Sequence, residues 1–221
     1  MPRFDAEQAR FNMIEQQIRP WEILDQQILD LISTVPREKF VPKNYYAHAF
    51  SDVNIPLTHD QVMMVPRLEA RLLQALMIHP SDMVLEIGTG SGYLTALLAK
   101  AARFVDSIDI YQDFVWDAKH KLKSLNIKNV SFDVGNAMDN WDIETKYDLI
   151  VFTGALTKLN PKFQQKLNVG GSLFAIVGQE PAMQAHVINR ITEDEFESEA
   201  LFETVLPQLL GQKNIPEFKL N

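Results

Sequence analysis

The sequence predicts an α/β fold, a doubly wound and mainly parallel sheet with an N-terminal helical extension, and three observations carry that expectation. An apolar run, Met83-Val84-Leu85-Glu86-Ile87, passes directly into the glycine-rich turn Gly88-Thr89-Gly90-Ser91-Gly92, which opens a helix near Tyr93. A second run, Phe104-Val105-Asp106-Ser107-Ile108-Asp109-Ile110, reads as the next strand and also carries an acid near its end. From there strand-like and helix-like patterns alternate, as parallel strands joined by crossover helices do, and ligands of such sheets bind at the carboxyl ends of the strands.

Taken in order, residues 5–34 read as helical, because Met13, Ile14, Ile18 and then Ile23, Leu24, Ile28, Leu31 and Ile32 recur at helical spacing. Pro20 divides them into two helices. Val35-Pro36-Arg37-Glu38-Lys39-Phe40-Val41-Pro42 holds two prolines and reads as a turn or short cap leading to the aromatic cluster Tyr45, Tyr46 and Phe50. Pro66 starts a helix running to about Met77, with Arg67 in its first turn. The alternating part predicts strands at 83–87, 104–110, 129–134, 147–153 and 172–177, with helices at 93–101, 113–125 and 160–168. Phe114 and Trp116 are expected to face the core from the helix at 113–125. The tail, with Phe202, Val205, Leu206, Leu209 and Leu210, is expected to add antiparallel edge strands.

With 221 residues, 46% of them hydrophobic, the chain has the size of one well-buried domain. Within 1–221, residues 1–80 are expected to form the helical and substrate-loop part and 81–221 the cofactor-binding α/β part. There is no cysteine, which excludes disulfides, thiolate metal sites and cysteine nucleophiles and suits a reducing compartment. The first residues lack an apolar leader and no run approaches a membrane span, so a cytoplasmic protein without a membrane partner is expected. A formal charge of −8 with scattered lysines and arginines argues against nucleic acid as a partner. The five histidines, at 48, 59, 79, 120 and 186, have no metal-ligand spacing, and no metal is expected.

The glycine turn decides between ligands. A dinucleotide turn reads G-x-G-x-x-G, whereas here the third glycine follows the second by two positions. Glu86 closes the strand in front of the turn, where a carboxylate repels a pyrophosphate but suits the cationic amino-acid half of S-adenosyl-L-methionine. Asp109, about 20 residues on, stands where a carboxylate accepts the two hydroxyls of a ribose. This spacing favours S-adenosyl-L-methionine and disfavours an NAD-dependent oxidoreductase.

Glu86-Ile87-Gly88-Thr89-Gly90-Ser91-Gly92-Tyr93, preceded by Val35 to Pro42 and followed by Val105-Asp106-Ser107-Ile108-Asp109, resembles the protein-L-isoaspartate O-methyltransferases. The resemblance runs from about residue 13 to about 210 and includes Ile55-Pro56-Leu57, Tyr147 to Val151 and Leu167 to Leu173. It implies an S-adenosyl-L-methionine-dependent O-methyltransferase, with the sheet type of that class, that methylates the α-carboxyl of L-isoaspartyl residues and so begins protein repair. The candidate cofactor residues are then Glu86, Gly88, Thr89, Gly90, Ser91, Gly92, Asp109 and Ile110, joined by Asn136 and Ala137 where the family has Gly-Asp-Gly and this chain Gly135-Asn136-Ala137.

The acceptor loop departs further. The family carries a Thr-Ile-Ser triplet with a Pro two residues later, and its Ser is taken as catalytic or substrate-contacting. This chain reads Val62-Met63-Met64-Val65-Pro66, so Met64 replaces the Ser and Val62 the Thr. A carboxylate acceptor wants hydrogen-bond donors, which neither side chain has. The expectation is methyl transfer to an isoaspartyl protein or peptide at a reduced rate, or to a changed acceptor such as a small molecule. A non-catalytic module that binds the cofactor is the alternative. Arg67 is expected near the acceptor entrance, paired with a carboxylate of the cofactor or of the acceptor.

Overall fold

The computed structural model of the protein describes residues 4–139 and 144–212; residues 1–3, where the sequence was read for a leader, lie outside them. Helix α1 (Ala6–Met13) is capped by the Asp5 carboxylate, which accepts from the amides of Glu7 and Gln8. It runs on through a π turn at Ile14–Ile18 and a 3-10 turn at Arg19–Trp21, so the Pro20 division takes the form of a graded unwinding. Helix α2 (Gln26–Thr34) starts at an Asp25 cap and buries Ile28, Leu29 and Ile32 along one face. Ile23 and Leu24 lie before it, Ile23 buried and Leu24 exposed, which corrects their placement in a helix. The proline-bracketed segment is a 3-10 turn, Arg37–Lys39. Strands β1 (Ile55–Pro56) and β2 (Val62–Met63) pair Ile55 with Met63 and close a short loop. Helix α3 (Pro66–Leu76) follows, with Pro66 at its first turn and Met77 in the left-handed region at its end.

The sheet strands are β3 (Met83–Ile87), β4 (Phe104–Asp109), β5 (Val130–Val134), β6 (Tyr147–Leu156), β7 (Leu167–Gln179), β8 (Ala182–Arg190) and β9 (Phe196–Glu203). They lie in the order β5-β4-β3-β6-β7-β8-β9, the first five parallel and the last two antiparallel. Strand order reverses between β3 and β6, and that reversal opens a crevice above their carboxyl ends. Alternation along the central strands splits the core by face. Val84, Leu149 and Val151 pack with the N-terminal helices, α3 and α4 (Tyr93–Ala101), while Leu85, Ile87, Ile150 and Phe152 pack with Met138 and Phe163 on the other side.

Three other expectations change. The helix expected at 160–168 is the short α6 (Pro161–Gln165), because the amide of Tyr147 takes the carbonyl of Lys166 and Leu167 already pairs with Tyr147. On α5 (Gln112–Ser124) Phe114, Val115, Ala118 and Leu122 form the buried face, and Trp116, roughly 200° around the helix from Phe114, is 60% exposed beside His120. The tail does add antiparallel edge strands, but only Phe202 lies in one; Leu206 to Leu210 cross the ends of the central strands instead.

Candidate active site

The glycine turn is built by three positive φ angles, 101° at Gly88, 50° at Gly90 and 81° at Gly92, the last serving as N-cap of α4. Only at Gly90 does the missing side chain leave room for a ligand: a Cβ there meets nothing but Leu57, at 3.7 Å, and the residue lines two adjoining cavities.

The larger cavity lies over the sheet crevice. Asp109, Ile110, Asn136 and Ala137 line it with Gly88 and Gly90, so these sequence-predicted residues share one wall. Asp109 is aimed by two amides, Gly90 N to Oδ2 and Tyr111 N to Oδ1, each at 2.9 Å. Burial raises its pKa against the pull of those amides. The Asn136 side chain is engaged within the protein: Oδ1 accepts from the Met138 amide and Nδ2 donates to the Gly211 carbonyl.

The smaller cavity adjoins it and is lined by Val62, Met63, Met64, Glu69, Leu94 and Thr153 together with Glu86 and the turn from Gly88 to Ser91. Glu86 is fully buried. Its Oε2 accepts from Thr95 at 2.5 Å and from Ser107 at 2.6 Å, and its Oε1 has no partner. Burial pushes its pKa up to about 8, with the Ser107 and Thr95 hydroxyls pulling the other way. Thr89 bonds Ser107, and the Ser91 hydroxyl accepts from the Tyr93 amide.

Sequence reasoning missed several of these walls. Thr153 of β6 donates to the carbonyls of Ile87 and Gly88 across the strand-order reversal, and Gly154 beside it lines the larger cavity. Leu206, Pro207, Leu209 and Leu210 form a lid-like wall, tied down by Ala155 N to Pro207 O and Leu209 N to Ala155 O. A glycine at the end of the strand next to β3 was the available signal for Thr153 and Gly154. Gln61 of the loop between β1 and β2 and Val62 of β2 also line the larger cavity. His59 of that loop stacks on Tyr111 at 3.8 Å, and its Nε2 lies within hydrogen-bond distance of the Asp113 carboxylate at 2.9 Å.

Arg67 is elsewhere. It pairs with Asp52, lies over the Trp21 ring at 4.4 Å and lines a separate groove with Arg71 and Phe202. The expectation that it stands at the acceptor entrance is therefore corrected, because the first turn of α3 points that side chain away from the cavities. Glu69, two residues on, takes the inward position, buried against Arg37. Among the described residues no group of three or more His, Cys, Asp or Glu side chains has a metal-binding arrangement, and no helix is long and apolar enough to cross a membrane.

Comparison with known proteins agrees with this geometry. The family model of protein-L-isoaspartate(D-aspartate) O-methyltransferase matches residues 8–212. The protein-L-isoaspartate O-methyltransferase of Cronobacter sakazakii is 34% identical over 184 residues, covering 83% of this chain and 88% of that protein. A Plasmodium falciparum chain described as a protein-L-isoaspartate O-methyltransferase, solved with S-adenosyl-L-homocysteine, superposes with a TM-score of 0.76 at 18% identity, over 94% of this chain and 99% of its own. Another solved protein-L-isoaspartate O-methyltransferase gives 0.78 at 20% identity, over 94% of this chain and 66% of its own. These two likenesses show the fold.

Proposed function

The chain belongs to the protein-L-isoaspartate(D-aspartate) O-methyltransferase family, and from that premise we propose that it transfers the methyl group of S-adenosyl-L-methionine to a carboxylate oxygen of L-isoaspartyl residues in proteins and peptides. The observation that supports this best is the buried Glu86 Oε1, a carboxylate oxygen without a partner on the cavity that the glycine turn lines. It fits the ammonium group of the cofactor. Asp109, aimed by two amides, keeps lone pairs for the ribose hydroxyls, and Ile110 and Ala137 offer apolar surface for the base. We read residues 1–80 as presenting the acceptor and 81–221 as holding the cofactor within one methyltransferase domain, acting in the cytoplasm without nucleic acid.

The cofactor, when bound, supplies an electrophilic methyl group on a sulfonium. A carboxylate acceptor has a pKa of about 4, is already ionised near neutrality and needs no base. The protein's task is alignment and exclusion of water, for which Gln61, Val62, Leu206, Pro207, Leu209 and Leu210 wall the cavity.

Two predictions concern the cofactor. Asp109→Ala weakens its binding by about 1–3 kcal/mol through lost hydrogen bonds to the ribose, measured by calorimetry; parent-like affinity would remove Asp109 from the site. The second is a pH dependence. Glu86 is protonated in the free protein below about pH 8, and a neighbouring ammonium favours its ionised form. Binding therefore releases a proton, and affinity rises with pH toward about 8, by up to about tenfold per unit. Because the folded-state value lies above the ordinary 4.5, the same group stabilises the free protein fully below pH 4.5 and loses that contribution as pH rises through about 8. Calorimetry in buffers of different ionisation heat reads the released proton, and equal apparent enthalpies at pH 7 would exclude it.

A third prediction follows from Val62 and Met64. Both line the cavity and neither offers a hydroxyl, which favours slow transfer and also supports the second reading, a module that binds cofactor without transferring methyl. Met64→Ser, alone and with Val62→Thr, is expected to raise turnover on isoaspartyl peptides about tenfold to a hundredfold at little changed cofactor affinity. Product analysis with labelled S-adenosyl-L-methionine decides between the readings, since tight binding without transfer to any acceptor leaves only the module.

A further inference from the structure

Polar side chains on the smaller cavity are nearly all committed. Thr89 is bonded to Ser107 of β4, the Ser91 hydroxyl accepts from the Tyr93 amide, Thr153 donates to strand carbonyls, and Glu86 stands at the glycine turn. Val62, Met63 and Met64 also line this cavity and carry no strong hydrogen-bonding group, and the remaining polar side chain on it is Glu69. Glu69 comes from the first turn of α3 and is almost wholly buried. Arg37 holds it: Nη1 pairs with Glu69 Oε2, Nε donates to Ala49 O at 2.8 Å and Nη2 to Met64 O at 2.5 Å. The guanidinium thus fixes the carboxylate and the acceptor loop in one frame. Among the described residues no donor reaches Glu69 Oε1.

We propose that Glu69 is the acceptor-binding residue of this chain, taking through Oε1 a hydrogen bond from the backbone N–H carried on the same carbon as the carboxylate to be methylated. The inference rests on the isoaspartyl reading above. In an L-isoaspartyl residue the main chain leaves through the side-chain carbonyl, so the free α-carboxylate and the α N–H hang from one carbon. Where a hydroxyl in the family's position would donate to the carboxylate, recognition here moves to Glu69 and the sense of the hydrogen bond is reversed. The Arg37 charge offsets that of Glu69, so an incoming carboxylate does not meet an uncompensated anion. An oxygen of the carboxyl accepts an N–H whether or not the group is protonated.

The test uses two isoaspartyl peptides that differ only by methylation of that backbone nitrogen. The parent is expected to favour the unmethylated peptide by about tenfold or more in kcat/KM. Glu69→Gln, which keeps an acceptor oxygen, retains the preference. Glu69→Leu lowers transfer to the unmethylated peptide to the level of the methylated one and leaves cofactor affinity unchanged. Should Glu69→Leu fail to melt cooperatively because Arg37 is left unpaired, Arg37→Met with Glu69→Leu removes the whole pair and is read in its place. A parent without preference, or a leucine variant that keeps it, overturns the inference while the isoaspartyl reading stands. Bound cofactor with transfer to neither peptide, by the parent or by Met64→Ser with Val62→Thr, overturns both.

Discussion

Gly90→Val abolishes S-adenosyl-L-methionine binding, with a loss of affinity beyond about a hundredfold. Two costs combine. The position has φ of 50°, where a β-branched residue is strained by on the order of 1–3 kcal/mol. The added side chain also projects into open space on the wall of both cavities, where the proposed site holds the cofactor. If the turn shifts to relieve the strain, the Gly90 amide leaves Asp109 Oδ2 and the proposed ribose ligand loses one of its two guides. Calorimetry on the folded variant reads the effect, and an affinity within a factor of a few of the parent would show that the turn does not carry the cofactor.

Arg37→Ala costs about 3–5 kcal/mol of folding stability, the effect of breaking a buried ion pair from one side. Glu69 is left buried without a counter-charge, and the carbonyls of Ala49 and Met64 lose their donors. The Tyr93 ring, whose face lies 4.7 Å from the guanidinium, loses a cation partner as well. Burial already pushes Glu69 up to about 7 in spite of Arg37, so without the arginine it folds in as the neutral acid. Thermal melting is expected to drop by on the order of 10 °C. A variant melting within a degree or two of the parent would mean that the pair is idle.

The central strands and the glycine turn were legible in the sequence because their information is local. Two apolar runs ending in Glu86 and Asp109 with three glycines between them specify a turn, two carboxylates and a helix start without help from elsewhere. What pairs across distance was not legible. Arg37 and Glu69 lie 32 positions apart, and only folding shows that the proline-bracketed turn aims its arginine inward. Arg67 looked better placed because it follows Pro66, yet the rotation of α3 gives the inward place to Glu69 and leaves Arg67 to Asp52. Trp116 was misjudged for a related reason: it was expected to face the core with Phe114, whereas the buried face is filled by Phe114, Val115, Ala118 and Leu122. The stretch from Leu206 to Leu210 has a strand-like apolar content but spends its main-chain groups on Ala155, so composition alone could not separate a cavity wall from an edge strand.

That wall also sets a timetable. The glycine turn, both acids and Thr153 are synthesised by residue 153, but the cavity is walled by Leu206, Pro207, Leu209 and Leu210. A nascent chain on the ribosome can close the parallel part of its sheet while the ligand crevice is still open on one side. The cofactor, which stabilises only a form able to bind it, then contributes nothing until residues 206–210 are in place. Protection against heat or protease by S-adenosyl-L-methionine should therefore be gained only by chains that include residues 206–210.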